Sequence, residues 1–210
     1  MPLRLVTLDL DGTLLPHDTA FAVVLRENGQ ARLAEESDAR YFAGEVTLEE
    51  CFWEQWEEVR KLSPADLHRA LRKAAWLPGI ADGVRRLKEA GVRTCLLTDQ
   101  PSTVTDFLGR WGLTDAICSP VTIKDGRQVA IDARLDKLAN LRGRLAEWGI
   151  AERDVGHIGN GVNDVPVFQA VGASVACFAP PEVAKHARKV VPEPRSLLEL
   201  VETILSPTEQ

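Results

Sequence analysis

Apolar positions along this chain fall into two rhythms. Short solid runs, LRLVTL at 3–8, VRTCLL at 92–97, VGHIG at 155–159 and SVACF at 174–178, read as strands buried on both faces. Elsewhere apolar residues recur every three or four positions, which predicts helices over 21–29, 31–44, 47–62, 63–76, 79–91, 101–111, 133–149, 163–170, 180–189 and 196–205. Thr47-Leu-Glu-Glu has the form of a capping box. Ser63-Pro predicts a capped helix start with proline in its first turn, and Gly29 and Gly44 read as helix stops. Residues 121–131 read as a hairpin turning at Asp125-Gly126. Short strands are expected at 116–119 and 189–191.

Strands that alternate with helices imply an α/β fold: a doubly wound, mostly parallel, Rossmann-like sheet. One stretch breaks the alternation. From about Thr19 to Trp76 no good strand occurs, so this part reads as a small all-helical domain inserted after the first strand. The expected division is a core of 1–16 and 77–210 with a helical cap of 17–76.

Composition narrows the class. The chain has 210 residues, 45% hydrophobic and 27% charged, and a formal net charge of −6. An acidic chain with no basic stripe argues against nucleic acid as a partner. No segment reads as a membrane span or a cleaved leader. Cys51, Cys95, Cys118 and Cys177 are scattered, without a CxxC pair, which suits free thiols and a cytoplasmic protein. Monomer and homodimer are both compatible.

The chemistry gathers at the carboxyl ends of the predicted strands, where open parallel sheets carry their sites. The first strand stops on Asp9-Leu-Asp11-Gly12-Thr13. The second stops on Thr98-Asp99-Gln100, and a later one on Asn160 through Asp164. Two carboxylates beside a leucine at the end of a buried strand need a cation or a reacting phosphate to offset their charge. A carboxylate can attack phosphorus, and a second one two residues on can protonate the leaving oxygen and then activate water. Thr98 offers a hydroxyl, and Lys137 a cation, to phosphate oxygens. Gly12 lets the backbone turn sharply and approach a ligand.

DLDGTLL, LLTD, DKL and GNGVNDVP, in that order, resemble the four motifs of the haloacid dehalogenase superfamily. The helical insert and the KDGR hairpin resemble its phosphoserine phosphatase branch. The resemblance implies a phosphatase acting on a small phosphorylated metabolite with Mg²⁺. Asp9 is then nucleophile and metal ligand. Asp11 is general acid and base, and gives the metal its carbonyl. Thr98 binds the phosphoryl group, Lys137 steadies Asp9, Asn160 and Asp164 stand at metal positions, and Asp164 orients Lys137 or a metal-bound water. Gly12, Asp18, Asp99, Gln100 and Asn163 are the expected substrate-binding residues.

Two departures from the family bear on function. Its commonest fourth motif reads GDGxND, so Asn160 replaces a carboxylate and should weaken Mg²⁺ binding. A glutamate after motif one and an arginine in the cap usually hold phosphoserine. Here Asp18 lies near the first position and Gln55 near the second, with Arg60 further on. The usual Gly-Gly after the motif-two hydroxyl is Asp99-Gln100, whose carboxylate would repel that of phosphoserine if it points inward. Phosphotransfer to an alcohol, or a weakened phosphate-ligand-binding role, would use the same residues. Trp53 and Trp56 are candidates to line a pocket. His157 carries no expected role.

Overall fold

The computed structural model describes residues 2–207; Met1 and residues 208–210, counted in the expected core domain, lie outside them. Strand β1 (Leu5–Leu8) occupies the middle of a six-stranded sheet. On one side it pairs with β2 (Arg93–Pro101), which pairs with β3 (Ala116–Ser119). On the other side follow β6 (Val155–Gly159), β7 (Ala173–Cys177) and β8 (Lys189–Val191). Every pairing in this sheet is parallel. Strands β4 (Val121–Lys124) and β5 (Arg127–Ile131) form the separate antiparallel hairpin that Asp125-Gly126 predicts.

Both sheet faces are covered, which is why the strands read as solid apolar runs rather than alternating ones. Val6, Leu8, Leu96 and Ile158 pack with Leu87 of α5 (Ile80–Glu89) and with Leu200, Val201 and Ile204 of α10 (Leu197–Leu205). Leu5, Cys95, Leu97 and Val155 point the other way. They meet Leu141 and Leu145 of α7 (Lys137–Trp148) and Val167 of α8 (Val165–Ala170).

Helices α1 (Ala20–Glu27), α2 (Ala31–Phe42), α3 (Leu48–Val59) and α4 (Pro64–Leu71) occupy the stretch without strands. Thr47 and Glu50 close the expected capping box, and Ser63 caps α4 through Asp66 N–H. Phe21 lies 5.5 Å from Phe52 and 6.4 Å from Trp56, so these rings fill the centre of the insert. The chain leaves the sheet and returns to it at one place: Leu77 N–H donates to Leu14 O at 2.9 Å. Gln128 of β5 ties hairpin, insert and core together. Its Nε2 donates to Val59 O and Leu62 O at 3.2 and 3.3 Å, and its Oε1 accepts from Thr103 Oγ1 at 2.7 Å.

Four helices are clearly shorter than their periodicity suggests. That at 63–76 ends at Leu71. The run at 133–149 becomes helical only at Lys137, because the Asp136 side chain caps it by accepting from Ala139 N–H at 3.0 Å. The run at 180–189 gives one turn, α9 (Pro181–Ala184), and then leads into β8. That at 101–111 is a turn of α-helix, α6 (Ser102–Thr105), continued as a 3₁₀ segment through Trp111.

Two glycines make contrasting tests of this packing. A Cβ on Gly172 would lie 1.9 Å from the Arg153 carbonyl oxygen, a backbone atom, whereas one on Gly143 in α7 would meet nothing within 4 Å. Gly172→Ala is expected to lower unfolding free energy by about 3 kcal/mol. Gly143→Ala is expected to raise it by about 0.5–1 kcal/mol through helix propensity. Urea unfolding midpoints at constant m-value measure both, and a neutral Gly172→Ala would contradict the close packing of this loop.

Candidate active site

Three adjacent strands, β2, β1 and β6, end at one place. Asp9 extends β1, its N–H donating to Ile158 O at 2.9 Å. In β2 the ladder with β3 breaks between Leu97 and Pro101, which pair with Ile117 and Ser119. Thr98, Asp99 and Gln100 therefore sit in an irregular segment that re-aims their side chains, as strand bulges do beside active sites. Ser119 Oγ fixes this segment by donating to Asp99 O at 2.8 Å.

Lys137, the first residue of α7, is 4% exposed. Its Nζ donates to Asp9 Oδ1 at 2.6 Å and to Asp164 Oδ1 at 2.7 Å. Asp164 is fully buried and has both oxygens taken. Oδ1 also lies 3.1 Å from His157 Nε2, and Oδ2 accepts from the N–H groups of Asn160 and Gly161, each at 2.9 Å. Its burial works against ionisation, but the Lys137 charge and the His157 bond overcome it and hold the carboxyl well below the usual range. Burial likewise works against the charge of Lys137, and the carboxylates of Asp164, Asp9 and Asp99 outweigh it. Asp9 moves the other way. Burial and the charge of Asp164 raise it, and Lys137 only partly offsets them.

Asp11 is partly buried beside Asp9. Its Oδ1 accepts from Ala20 N–H at the start of α1 at 2.7 Å, and its Oδ2 from Gln100 Nε2 at 2.6 Å. Burial, followed by the charge of Asp9, pushes it up to about 7. Gly12 adopts φ +77°, and a Cβ there would lie 2.0 Å from Asn160 Nδ2. Glycine is thus required both by the turn and by the Asn160 amide. The Thr13 hydroxyl lies 2.9 Å from Asp9 Oδ2 and 3.3 Å from Asn160 Oδ1.

Thr98 is buried, with its Oγ1 accepting from Gln100 N–H at 3.2 Å. Asn163 Nδ2 donates to Asp99 Oδ2 at 2.8 Å. Burial raises Asp99 to about 6 against the pull of Lys137 and Asn163. The structure thus brings Asp9, Asp11, Gly12, Thr98, Asp99, Gln100, Lys137, Asn160, Asn163 and Asp164 into one connected cluster. Asp18 joins it only through its carbonyl, which accepts from Gly12 N–H at 2.9 Å; its side chain pairs with Arg26 and accepts from Thr19 N–H at 2.9 Å. Gln55 is buried on Asp38, Arg60 pairs with Glu57, and Trp56 belongs to the core of the insert. Asp164, expected among the metal ligands, is directed at Lys137 and the loop amides, which leaves neither oxygen open to an ion.

Two contributors were not singled out from sequence. Thr13 stands inside the DLDGT motif, so its hydroxyl was in view. His157 is fully buried between Thr7 Oγ1, 2.8 Å from Nδ1, and Asp164. Its one available signal was its place two residues before the end of a strand that leads into a motif.

Mg²⁺ takes oxygen ligands and keeps several waters, so few protein oxygens suffice. Among the described residues no three His, Cys, Asp or Glu side chains form a metal-holding group. The oxygens near Thr13 nevertheless suit this ion. Asp9 and Asn160 converge on one hydroxyl, and burial raises both Asp9 and Asp11, so a further cation here would favour their ionised forms.

A stability prediction follows from Asp11. Its folded value lies above the ordinary 3.8, so the folded state holds the proton more tightly. On this group's account the metal-free protein loses stability as pH rises from about 4 to about 7. A cation that relieves the Asp9–Asp11 repulsion then stabilises most where Asp11 is ionised. Millimolar Mg²⁺ is expected to raise Tm by several degrees at about pH 8 and much less at about pH 5.5. Scanning fluorimetry at the two pH values checks this, and equal shifts would contradict it.

Comparison with known proteins gives this arrangement a context. The haloacid dehalogenase-like hydrolase family pattern matches residues 6–169. A phosphoserine phosphatase of Methanocaldococcus jannaschii is 22% identical over 208 residues, covering 96% of this chain and 97% of its own. One from Streptomyces coelicolor is 27% identical over 91% of this chain, which spans only 48% of that longer protein. Among solved structures, a HAD family hydrolase of Salmonella enterica serovar Typhi superposes with a TM-score of 0.84 at 19% identity, covering 98% of this chain and 72% of that one. A phosphoserine phosphatase held as an analogue of its phospho-aspartyl intermediate superposes with a TM-score of 0.80 at 19% identity, over 97% of this chain and 100% of its own. The buried lysine, the strand-end carboxylates and the matched pattern agree: the chain belongs to the haloacid dehalogenase-like hydrolase family, in the branch that resembles phosphoserine phosphatases.

Proposed function

We propose that the protein hydrolyses a small phosphomonoester in two steps through an aspartyl-phosphate on Asp9. The observation that carries this reading is a buried Asp9 carboxylate held between Lys137 and Thr13, with a second carboxyl two residues on, Asp11, fixed by Ala20 N–H and Gln100 and raised by burial.

A carboxylate oxygen of Asp9 attacks phosphorus, and the bond from phosphorus to the ester oxygen breaks. The electron pair stays on the departing oxygen, which takes the proton of Asp11. In the second step water attacks phosphorus while Asp11 accepts its proton. The Asp9 carboxylate and inorganic phosphate are then released. Lys137 holds Asp9 in place, and its charge, like the Thr98 hydroxyl, suits the phosphoryl oxygens. Asp9, the Asp11 carbonyl and Asn160 would hold Mg²⁺, which when bound neutralises charge on the phosphoryl group. The helical insert, residues 17–76, forms a cap that keeps bulk water from the phosphoenzyme.

The family relationship and the named relatives support phosphate-ester chemistry over other uses of this fold. The four cysteines form no disulfide, and among the described residues no helix is long and apolar enough to cross a membrane; both suit the cytoplasm.

Phosphate release from a panel of phosphomonoesters with and without Mg²⁺ tests the reading. Asp9→Asn is expected to lower kcat by at least about a thousand-fold. Mg²⁺-independent release, or turnover that survives in this variant, would overturn it. Added alcohols should yield no phosphorylated alcohol; their phosphorylation in preference to phosphate release would make the protein a transferase. Asn160→Asp adds charge to the ion site and should lower the half-activating Mg²⁺ concentration by roughly ten-fold. An unchanged value would remove Asn160 from that site.

A further inference from the structure

Two buried acceptors beside the reaction centre have no protein donor: Asp99 Oδ1 and Gln100 Oε1. The side chains that carry them are 8% and 6% exposed. Neither is loosely held. Asn163 grips the other oxygen of Asp99, Ser119 grips its carbonyl, and the Gln100 amide nitrogen donates to Asp11. Each side chain is thus fixed with one acceptor left over. Buried groups in this condition are rare and costly, and they call for a partner that the protein itself does not supply.

Their position identifies that ligand's surroundings. Gln100 touches Asp11, the residue that serves the leaving oxygen on the proposed reading, and Asp99 precedes it in the same irregular segment of β2. A substrate carboxylate would need a free cation in this region. Arg26 and Arg60 of the insert are instead paired with Asp18 and Glu57. It would also be desolvated against the Asp99 carboxylate.

We propose that the leaving group carries a protonated amine and no carboxylate, and that the amine donates to Asp99 Oδ1 and Gln100 Oε1. This substrate class, the phosphate ester of an amino alcohol, rests on the phosphomonoesterase reading of the site. An ammonium supplies three donors, enough for both orphans, and its bond to Asp99 is charge-assisted. A hydroxyl has a single donor and satisfies one acceptor only.

The test compares kcat/KM for O-phosphoethanolamine, O-phosphoserine and glycerol 3-phosphate with Mg²⁺ present, and p-nitrophenyl phosphate as a common reference. O-phosphoethanolamine is expected to exceed the other two metabolites by about ten- to a hundred-fold, chiefly in KM. Asp99→Asn should reduce that preference to within about three-fold. Equal kcat/KM for the amine and the amino-acid esters, or a preference that survives in Asp99→Asn, overturns the proposal. If that variant does not fold, the native preference and calorimetric binding of the same three esters decide. Release from p-nitrophenyl phosphate without amine preference sinks this proposal alone. Selective binding of O-phosphoethanolamine with no release from any ester overturns the hydrolase reading and the substrate class that rests on it, and leaves only the amine contact standing. Neither release nor selective binding overturns both.

Discussion

A buried ammonium between two buried carboxylates governs this molecule. Asp9 comes from the end of β1, Lys137 from the first turn of α7, and Asp164 from the loop after β6. None of these charges is tolerable alone in that position, and removing one partner of such a pair typically costs about 3–5 kcal/mol. The triad therefore forms only when the central strand, its neighbour and a covering helix are all in place. Asp164 carries the constraint further. Its second oxygen gathers the amides of Asn160 and Gly161, so the ion pair also shapes the turn that brings Asn160 against Gly12. Reaction geometry and tertiary structure are one set of contacts here.

The triad leaves a deficit. Asp9 and Asp164 share one lysine, while Asp11 and Asp99 add two further carboxyl groups raised by burial. Such a centre favours positive charge. On the proposed reading a divalent ion takes up this field on the Asp9 side, and a cationic leaving group on the Asp99 side. A phosphoryl group bound between them would be negative, and Lys137 with the proposed ion would offset its repulsion by Asp9. This asymmetry separates the site from one built for an amino-acid ester, where a cation must face the substrate carboxylate.

Much of this was legible along the chain because the relevant signals are local. Solid apolar runs ending on Asp9, Thr98 and Asn160 located the strand ends, and parallel topology brought them together. What escaped the sequence was decided by distance in space. The break in the β2 ladder that aims Asp99 and Gln100 has no one-dimensional mark, because it exists only against the register of β3. Asp18 looked free until a helix placed Arg26 beside it. His157 looked incidental because its partners, Thr7 and Asp164, converge on it only once β1 and β6 pair. The helix at 133–149 was overextended because periodicity continues past the cap that Asp136 supplies.

The insert departs after Leu14 and rejoins at Leu77, where one backbone hydrogen bond closes the gap. Everything between those residues is, for the sheet, a single long loop whose ends already meet. Loop-closure cost grows only slowly with length, so this segment can lengthen, shorten or be exchanged without disturbing the strands. The acid–base apparatus and the Asp99–Gln100 pair stay behind on the sheet when that happens. Lineages that carry this architecture are thus free to replace the cover while inheriting the chemistry, and only the contacts made by the cover itself have to be learned anew.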